Sequence, residues 1–143
     1  MGKMKTSKHG LNLIKKFEGY RDRAYYCSAG VPTIGYGHTR GVKIGDFCTH
    51  AQATIWLKQD IKKAERAVNK YQKVYNFNQN EYDALVSFAY NLGGIDQLTA
   101  YGTRDRKTIS EKMLLYVKSG GVVNNGLVAR REKERKLFLK KVK

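Results

Sequence analysis

The feature that most constrains this chain is an abrupt change of texture near its start. Residues 7–18 place Leu11, Leu13, Ile14 and Phe17 among lysines at helical spacing. From 20 to 48, Tyr, Val, Ile, Thr and Cys are interspersed with Gly30, Gly35, Gly37, Gly41 and Gly45. That stretch keeps no helical period, and it reads as short strands and tight turns, with Gly19 as the left-handed stop of the preceding helix. The expected start is therefore a helix that delivers the chain into a small sheet, with Glu18 in the helix's last turn.

Downstream the helical period returns. Thr49 followed by Gln52 reads as a capping box that opens a helix over about 49–72, expected to be the longest, with Leu57, Ile61, Ala64, Val68 and Tyr71 on one face. Asn78 with Glu81 repeats the capping pattern before a buried stripe of Tyr82, Leu85, Val86 and Ala89, and that helix is expected to end near Gly93 and Gly94. Ile109, Met113 and Val117 suggest another helix, closed by Gly120 and Gly121. A last one runs from about Asn125 to Lys140 through Val128, Arg131, Leu137 and Phe138. The order predicts an α+β, mainly α fold. About 8–48 form an N-terminal helix and small sheet lobe, about 49–72 a connecting helix, and about 73–143 a helical lobe. With one proline, no Ser/Gly-rich linker and no repeat, the 143 residues are expected to form a single domain, long enough to bury a real core.

Charge narrows the partner. Lys plus Arg number 28 against 12 Asp plus Glu, a formal charge of +16. Such an excess implies a polyanionic partner without choosing among nucleic acid, an anionic membrane surface and the phosphate-bearing polymers of a bacterial envelope. Basic residues are scattered through helical segments (Lys58, Lys62, Lys63, Arg66, Lys70, Lys73) and thicken from Arg130 to Lys143, as solvated helix faces or as a binding surface. No stretch approaches the roughly 20 apolar residues of a membrane span, and the first residues lack the apolar core of a signal peptide. The expectation is a protein that accumulates in the cytoplasm that makes it. Cys27 and Cys48 are too few for a disulfide scaffold and fit no zinc spacing, and a reducing cytosol disfavours their pairing. No metal or organic cofactor is implied.

Cleaving a glycosidic bond needs a protonated acid beside the leaving oxygen and a second group that manages water or the developing positive charge. A carboxyl at a helix end facing a glycine-rich sheet suits the first role, although a glutamate in such a place is most often simply solvated. The spacing is more specific: Glu18, eight residues, Cys27, five residues, Thr33, within F-E-G-Y-R-D-R-A-Y-Y-C-S-A-G-V-P-T-I-G-Y-G-H-T. It resembles the signature of phage-type lysozymes, glycoside hydrolase family 24, in which a Glu is followed after eight residues by Asp, less often Cys, and after five more by Thr. The segments T-I-G-Y-G-H at 33–38, A-Y-N-L-G at 89–93 and G-L-V-A-R-R-E-K-E at 126–134 look like further landmarks of that family in the expected order, so the resemblance covers about residues 8–140.

The resemblance implies a lysozyme-like fold with a substrate cleft between the lobes. It further implies an endolysin: a muramidase that cleaves the β-1,4 bond between N-acetylmuramic acid and N-acetylglucosamine in peptidoglycan and lyses the host, with inversion at the reacting carbon. The protein would wait in the host cytoplasm and reach the wall through a separate membrane-permeabilising protein. By the same resemblance Glu18 is the general acid, Cys27 stands where the family usually has a water-directing aspartate, Thr33 positions water, and Arg130 or Arg131 approaches the acid and holds it in place.

A free thiol has a pKa of about 8.5 and is mostly protonated near neutrality unless its neighbours shift it. Cys27 is thus open to three roles, base, nucleophile or water-orienting group, beside the plain alternative of a small buried hydrophobe. Asp22, between Arg21 and Arg23, is expected to be solvated, Gly35 to Gly37 to form a turn, and His38 to be a hydrogen-bonded structural histidine. The charge would concentrate a monomeric enzyme on anionic envelope polymers. Two other classes compete: a nucleic-acid-binding domain, suggested by charge and ten tyrosines but lacking a recognition helix or aromatic ribonucleoprotein motif, and a non-catalytic cationic protein of the same fold that disrupts membranes.

Overall fold

The computed structural model describes residues 4–142; residues 1–3 and Lys143, included in the expected single domain, lie outside the described residues. In chain order the elements are α1 (Lys8–Glu18), β1 (Arg21–Tyr26), β2 (Pro32–Gly35), α2 (His50–Asp60), α3 (Lys62–Asn69), α4 (Gln72–Tyr75), α5 (Gln79–Leu92), α6 (Asp96–Thr99), α7 (Arg106–Met113), β3 (Lys118–Ser119), β4 (Val122–Val123) and α8 (Asn125–Leu139). The chain groups into two compact units. One spans Ile14–Lys62, and the other takes in the chain up to Leu13 together with Lys63 onward.

In the Ile14–Lys62 unit, Gly19 at φ +73° ends α1, its N–H bonding the carbonyl of Lys15 at 2.9 Å. The chain then enters β1, which pairs antiparallel with β2 through Tyr25 opposite Thr33 and Tyr26 opposite Pro32, with an irregularity between Arg21 and Tyr25. At that irregularity the other edge of β1 meets residues 46–48: Ala24 N–H bonds Asp46 O at 2.9 Å and Cys48 N–H bonds Asp22 O at 2.8 Å. Ile34 and His38 exchange two backbone bonds of 2.9 Å around the expected turn. Gly35 is required there twice over, by its φ of +65° and by the approach of α2, since a Cβ at 35 would lie 3.0 Å from that of Ala53. The Thr49 hydroxyl accepts the Gln52 N–H at 3.1 Å and starts α2 through this one half of the expected capping box. His38 is buried, bonded through Nδ1 to Asp60 Oδ2 at 2.8 Å and stacked on Trp56, which bears out its structural reading.

The second unit is built around α5. Asn78 and Glu81 cap it reciprocally, and Glu81 through Ala89 are all buried. Burying Tyr82, Leu85, Val86 and Phe88 contributes on the order of 1.5–3 kcal/mol for each large side chain, and α8 supplies much of the cover through Leu137 and Phe138.

Two expectations need correction. Residues 49–72 are not one long helix but α2, α3 and the approach to α4, and α8, with 15 residues, is longer than any of these pieces. The buried stripe from Leu57 to Tyr71 does continue through the breaks. The interruptions have no proline or glycine behind them. At Ile61 ψ closes to −10°, tightening the turn, and the Asn69 side chain at the end of α3 is taken up by Met4 and the Tyr82 hydroxyl. The second correction falls at Gly120 and Gly121, which do not close a helix containing Val117. α7 stops at Met113, and the glycine pair, at φ +59° and +80°, makes the two-residue turn of a hairpin between β3 and β4. Two adjacent glycines with positive φ match the right-handed twist of paired strands better than a helix terminus.

Candidate active site

Cys27 follows the last residue of β1, and Thr33 is the second residue of β2. Because Tyr25 pairs with Thr33, and side chains alternate along each strand, Cys27 and Thr33 project from the same face of the sheet. Thr33 is buried and its hydroxyl lies 2.8 Å from the Val31 carbonyl. Cys27 is half-buried and free. Hydrogen bonds from the backbone of Val31 and then of Ala29 hold its pKa below the ordinary thiol value, against an opposing effect of burial that is larger than the further lowering by the Thr33 hydroxyl. The single Thr33 proton thus has two possible acceptors, the Val31 carbonyl beside a thiol or the sulfur beside a thiolate.

Cys27 cannot reach Cys48 in this fold. The Cys48 amide bonds the Asp22 carbonyl, five residues back along β1 from Cys27. At about 3.3 Å per residue the two cysteines are roughly 15 Å apart, well beyond the ~7 Å Cα separation a disulfide tolerates. The thiol at 27 stays available for chemistry.

Glu18 is the last residue of α1, half-buried, in the same unit as Cys27 and Thr33. Beside it along the chain, Tyr20 stacks on His50 with ring centroids 3.7 Å apart and tilts against buried Tyr36 at 5.5 Å. Sequence reasoning assigned these rings no role. Burial, then the neighbouring Cys48, pushes the Tyr20 phenol above its usual range. Asp22 is exposed, on a strand rather than in a loop.

Arg130 and Arg131 are both buried, so neither belongs to an exposed basic helix face. They converge on fully buried Glu134. Arg131 Nη1 donates to its Oε1 at 2.6 Å, Arg130 Nε to its Oε2 at 3.1 Å, and the Ser87 hydroxyl to Oε2 at 2.5 Å. Arg131 also donates to Asn91 and lies over the Phe88 ring at 4.9 Å. Desolvation pushes the Glu134 carboxyl up, and the two guanidiniums pull the other way. Glu134, Ser87 and Asn91 escaped sequence reasoning, although Glu134 closes the quoted G-L-V-A-R-R-E-K-E segment. Among the described residues no group of three or more His, Cys, Asp or Glu is placed to hold a metal ion, and no helix is long and apolar enough to cross a membrane.

The Ile14–Lys62 unit thus holds a thiol and a hydroxyl on one sheet face and a carboxyl at the end of the helix leading into that sheet. Comparison with known proteins identifies the family. The chain is 38% identical to the endolysin of Acyrthosiphon pisum secondary endosymbiont phage 1 over 94% of its own length and 98% of that protein's. It is 43% identical to the endolysin of Lactococcus phage c2 over 97% of its own length, spanning 62% of that longer protein. Among solved structures, the active form of the P1 phage endolysin superposes with a TM-score of 0.83 at 31% identity, covering 94% of this chain and 84% of that one. The secreted inactive form of the same endolysin gives 0.55. Fold and similarity define a peptidoglycan-hydrolysing lysozyme. Residues 15–134 match the phage lysozyme family, and the chain belongs to that family.

Proposed function

We propose that this lysozyme works as an endolysin in which Glu18 protonates the glycosidic oxygen between N-acetylmuramic acid and N-acetylglucosamine while Cys27 and Thr33 direct the water that adds to the sugar carbon. The observation that carries this reading is the placement of Cys27 and Thr33 on one sheet face, set by the pairing of Tyr25 with Thr33, with the thiol pKa lowered first by the backbone of Val31 and Ala29. A thiolate, or a thiol readily ionised, accepts the proton of the attacking water, the task a carboxylate performs in a two-carboxylate glycosidase. Thr33 holds the water's second contact. The proton Glu18 gives up goes to the leaving oxygen, water supplies the hydroxyl of the new reducing end, and Cys27 holds the proton that water loses.

Arg130 and Arg131 are proposed as support for the catalytic acid, beyond the partners described above. The charge of +16 concentrates a monomeric enzyme on anionic envelope polymers, an attraction that added salt weakens, and specific nucleic acid binding is not part of this reading. The protein is proposed to wait in the host cytoplasm and cross through a separate membrane-permeabilising protein. Fractionation of expressing cells tests this, and recovery with the membrane, or outside it in an inactive state, overturns it.

The test of the chemistry is release of reducing sugar ends from purified peptidoglycan, in the presence of a reductant, by wild type, Glu18→Gln and Cys27→Ser. Loss of release in both variants supports the assignment. Full activity in Cys27→Ser assigns the water to another group, and no release by wild type removes the proposed reaction.

A further inference from the structure

α8 has two working faces. Its inner face carries Arg130, Arg131, Glu134, Leu137 and Phe138, all buried. On its outer side, Glu132, Arg135, Lys136 and Leu139 follow one another at steps of three, one and three residues, a single helical stripe, and Lys140 caps its end. Together with Leu114, just past the end of α7, they line an open groove of about 670 Å³. The groove is mixed in character. Leu114 and Leu139 are 37% and 51% exposed and form its apolar part, while Arg135, Lys136 and Lys140 outnumber the one carboxylate, Glu132. The Arg135 Nε atom is buried without a hydrogen-bond partner. Among the described residues no ion pair engages Arg135, Lys136 or Lys140, and the buried carboxylate of α8, Glu134, is taken by Arg130, Arg131 and Ser87.

We propose that this groove docks the protein onto an anionic phospholipid surface. A wholly polar polyanion would satisfy the cations but leave Leu114 and Leu139 against water. A bilayer interface offers both partners at once, phosphates at headgroup level for Arg135, Lys136 and Lys140 and an acyl boundary for the two leucines. Binding of this kind combines a charge contribution that salt weakens with an apolar one that salt leaves in place. It is separate from hydrolysis and does not use Glu18.

The experiment is co-sedimentation with vesicles of phosphatidylcholine containing phosphatidylglycerol, and with phosphatidylcholine alone, comparing wild type with three variants. Lys136→Glu/Lys140→Glu removes charge at the groove. Lys62→Glu/Lys63→Glu changes net charge equally on exposed positions of the 62–63 segment. Leu139→Asn leaves charge untouched. A lysine at an anionic surface is worth roughly fivefold in partitioning, so the groove double variant is expected to lose about 25-fold or more. Leu139→Asn is expected to lose several-fold and Lys62→Glu/Lys63→Glu little. Purified membrane-free peptidoglycan should still be cleaved by the groove variants, which also verifies their folding. Equal losses in the two charge variants, or an unchanged Leu139→Asn, would overturn the docking surface in favour of diffuse attraction by net charge. Absence of binding by wild type overturns it outright.

Discussion

The two compact units solve opposite problems with similar residue types. The Ile14–Lys62 unit leaves the two groups proposed to react, Glu18 and Cys27, half-buried, and uses backbone hydrogen bonds to tune one of them. The other unit takes a carboxylate and two guanidiniums fully out of water and locks them to each other and to Ser87. Charges buried that completely are fixed in place and can only hold or orient other groups, whereas groups that keep access to solvent can exchange protons. Polar residues in one chain therefore cannot be ranked as functional by burial or by charge alone.

The sharpest way to break this contrast is to remove the buried carboxylate. Glu134→Gln leaves Arg131 without its charge partner in a place water does not reach, and about 3–5 kcal/mol of stability should go with it, read as a large fall in melting temperature. A fall no greater than that of an ordinary surface substitution would show that the network is not what holds α5 to α8. Next in size is the difference between the helix starts. Asn78→Ala removes a reciprocal cap and should cost about 1–2 kcal/mol in chemical denaturation, whereas Thr49→Ala removes the single bond to Gln52 and should cost less, roughly 0.5–1 kcal/mol. Smallest is a pH effect in the reactive unit. The fold lowers the Cys27 pKa, so its thiolate persists to lower pH than that of free cysteine, and alkylation by iodoacetamide should show a midpoint below the free-thiol value. The Thr33 hydroxyl stabilises the ionised form, so Thr33→Val should move that midpoint upward while leaving the protein folded. A midpoint that stays put would remove Thr33 from the thiol's surroundings.

Much of this was legible in the sequence because its signals were local. Gly19 stops a helix through its own backbone freedom, Asn78 and Glu81 cap one another three residues apart, and the Glu18, Cys27, Thr33 spacing runs over three consecutive elements, the end of α1, the end of β1 and β2. What the sequence hid was set by partners distant along the chain. The breaks in the 49–72 segment follow from Ile61's tightened turn and from Asn69 bonding Met4 and Tyr82, which no window of neighbours contains. Which of Arg130 and Arg131 turns inward could not be read, and the answer, both, depends on Ser87 and Asn91 more than 40 positions away or close to it. The lowered thiol pKa rests first on backbone groups of Val31 and Ala29, whose side chains carry no trace of it. At Gly120 and Gly121 the residues were noticed and the wrong element was assigned, because a glycine pair ends a helix or turns a hairpin equally well until the flanking Val122 and Val123 are seen to pair.

The most direct test of the account is a side-by-side measurement of reducing-end release from purified peptidoglycan by Glu18→Gln and Glu134→Gln, at a temperature where circular dichroism shows both folded. Loss of a general acid removes on the order of 10²–10⁴ in rate, so Glu18→Gln should be folded, as stable as wild type and nearly inactive. Glu134→Gln, which loosens the two arginines proposed to support the acid, should melt far earlier and, while folded, keep far more activity than Glu18→Gln. Substantial hydrolysis by Glu18→Gln would contradict the assignment of the catalytic acid to the end of α1.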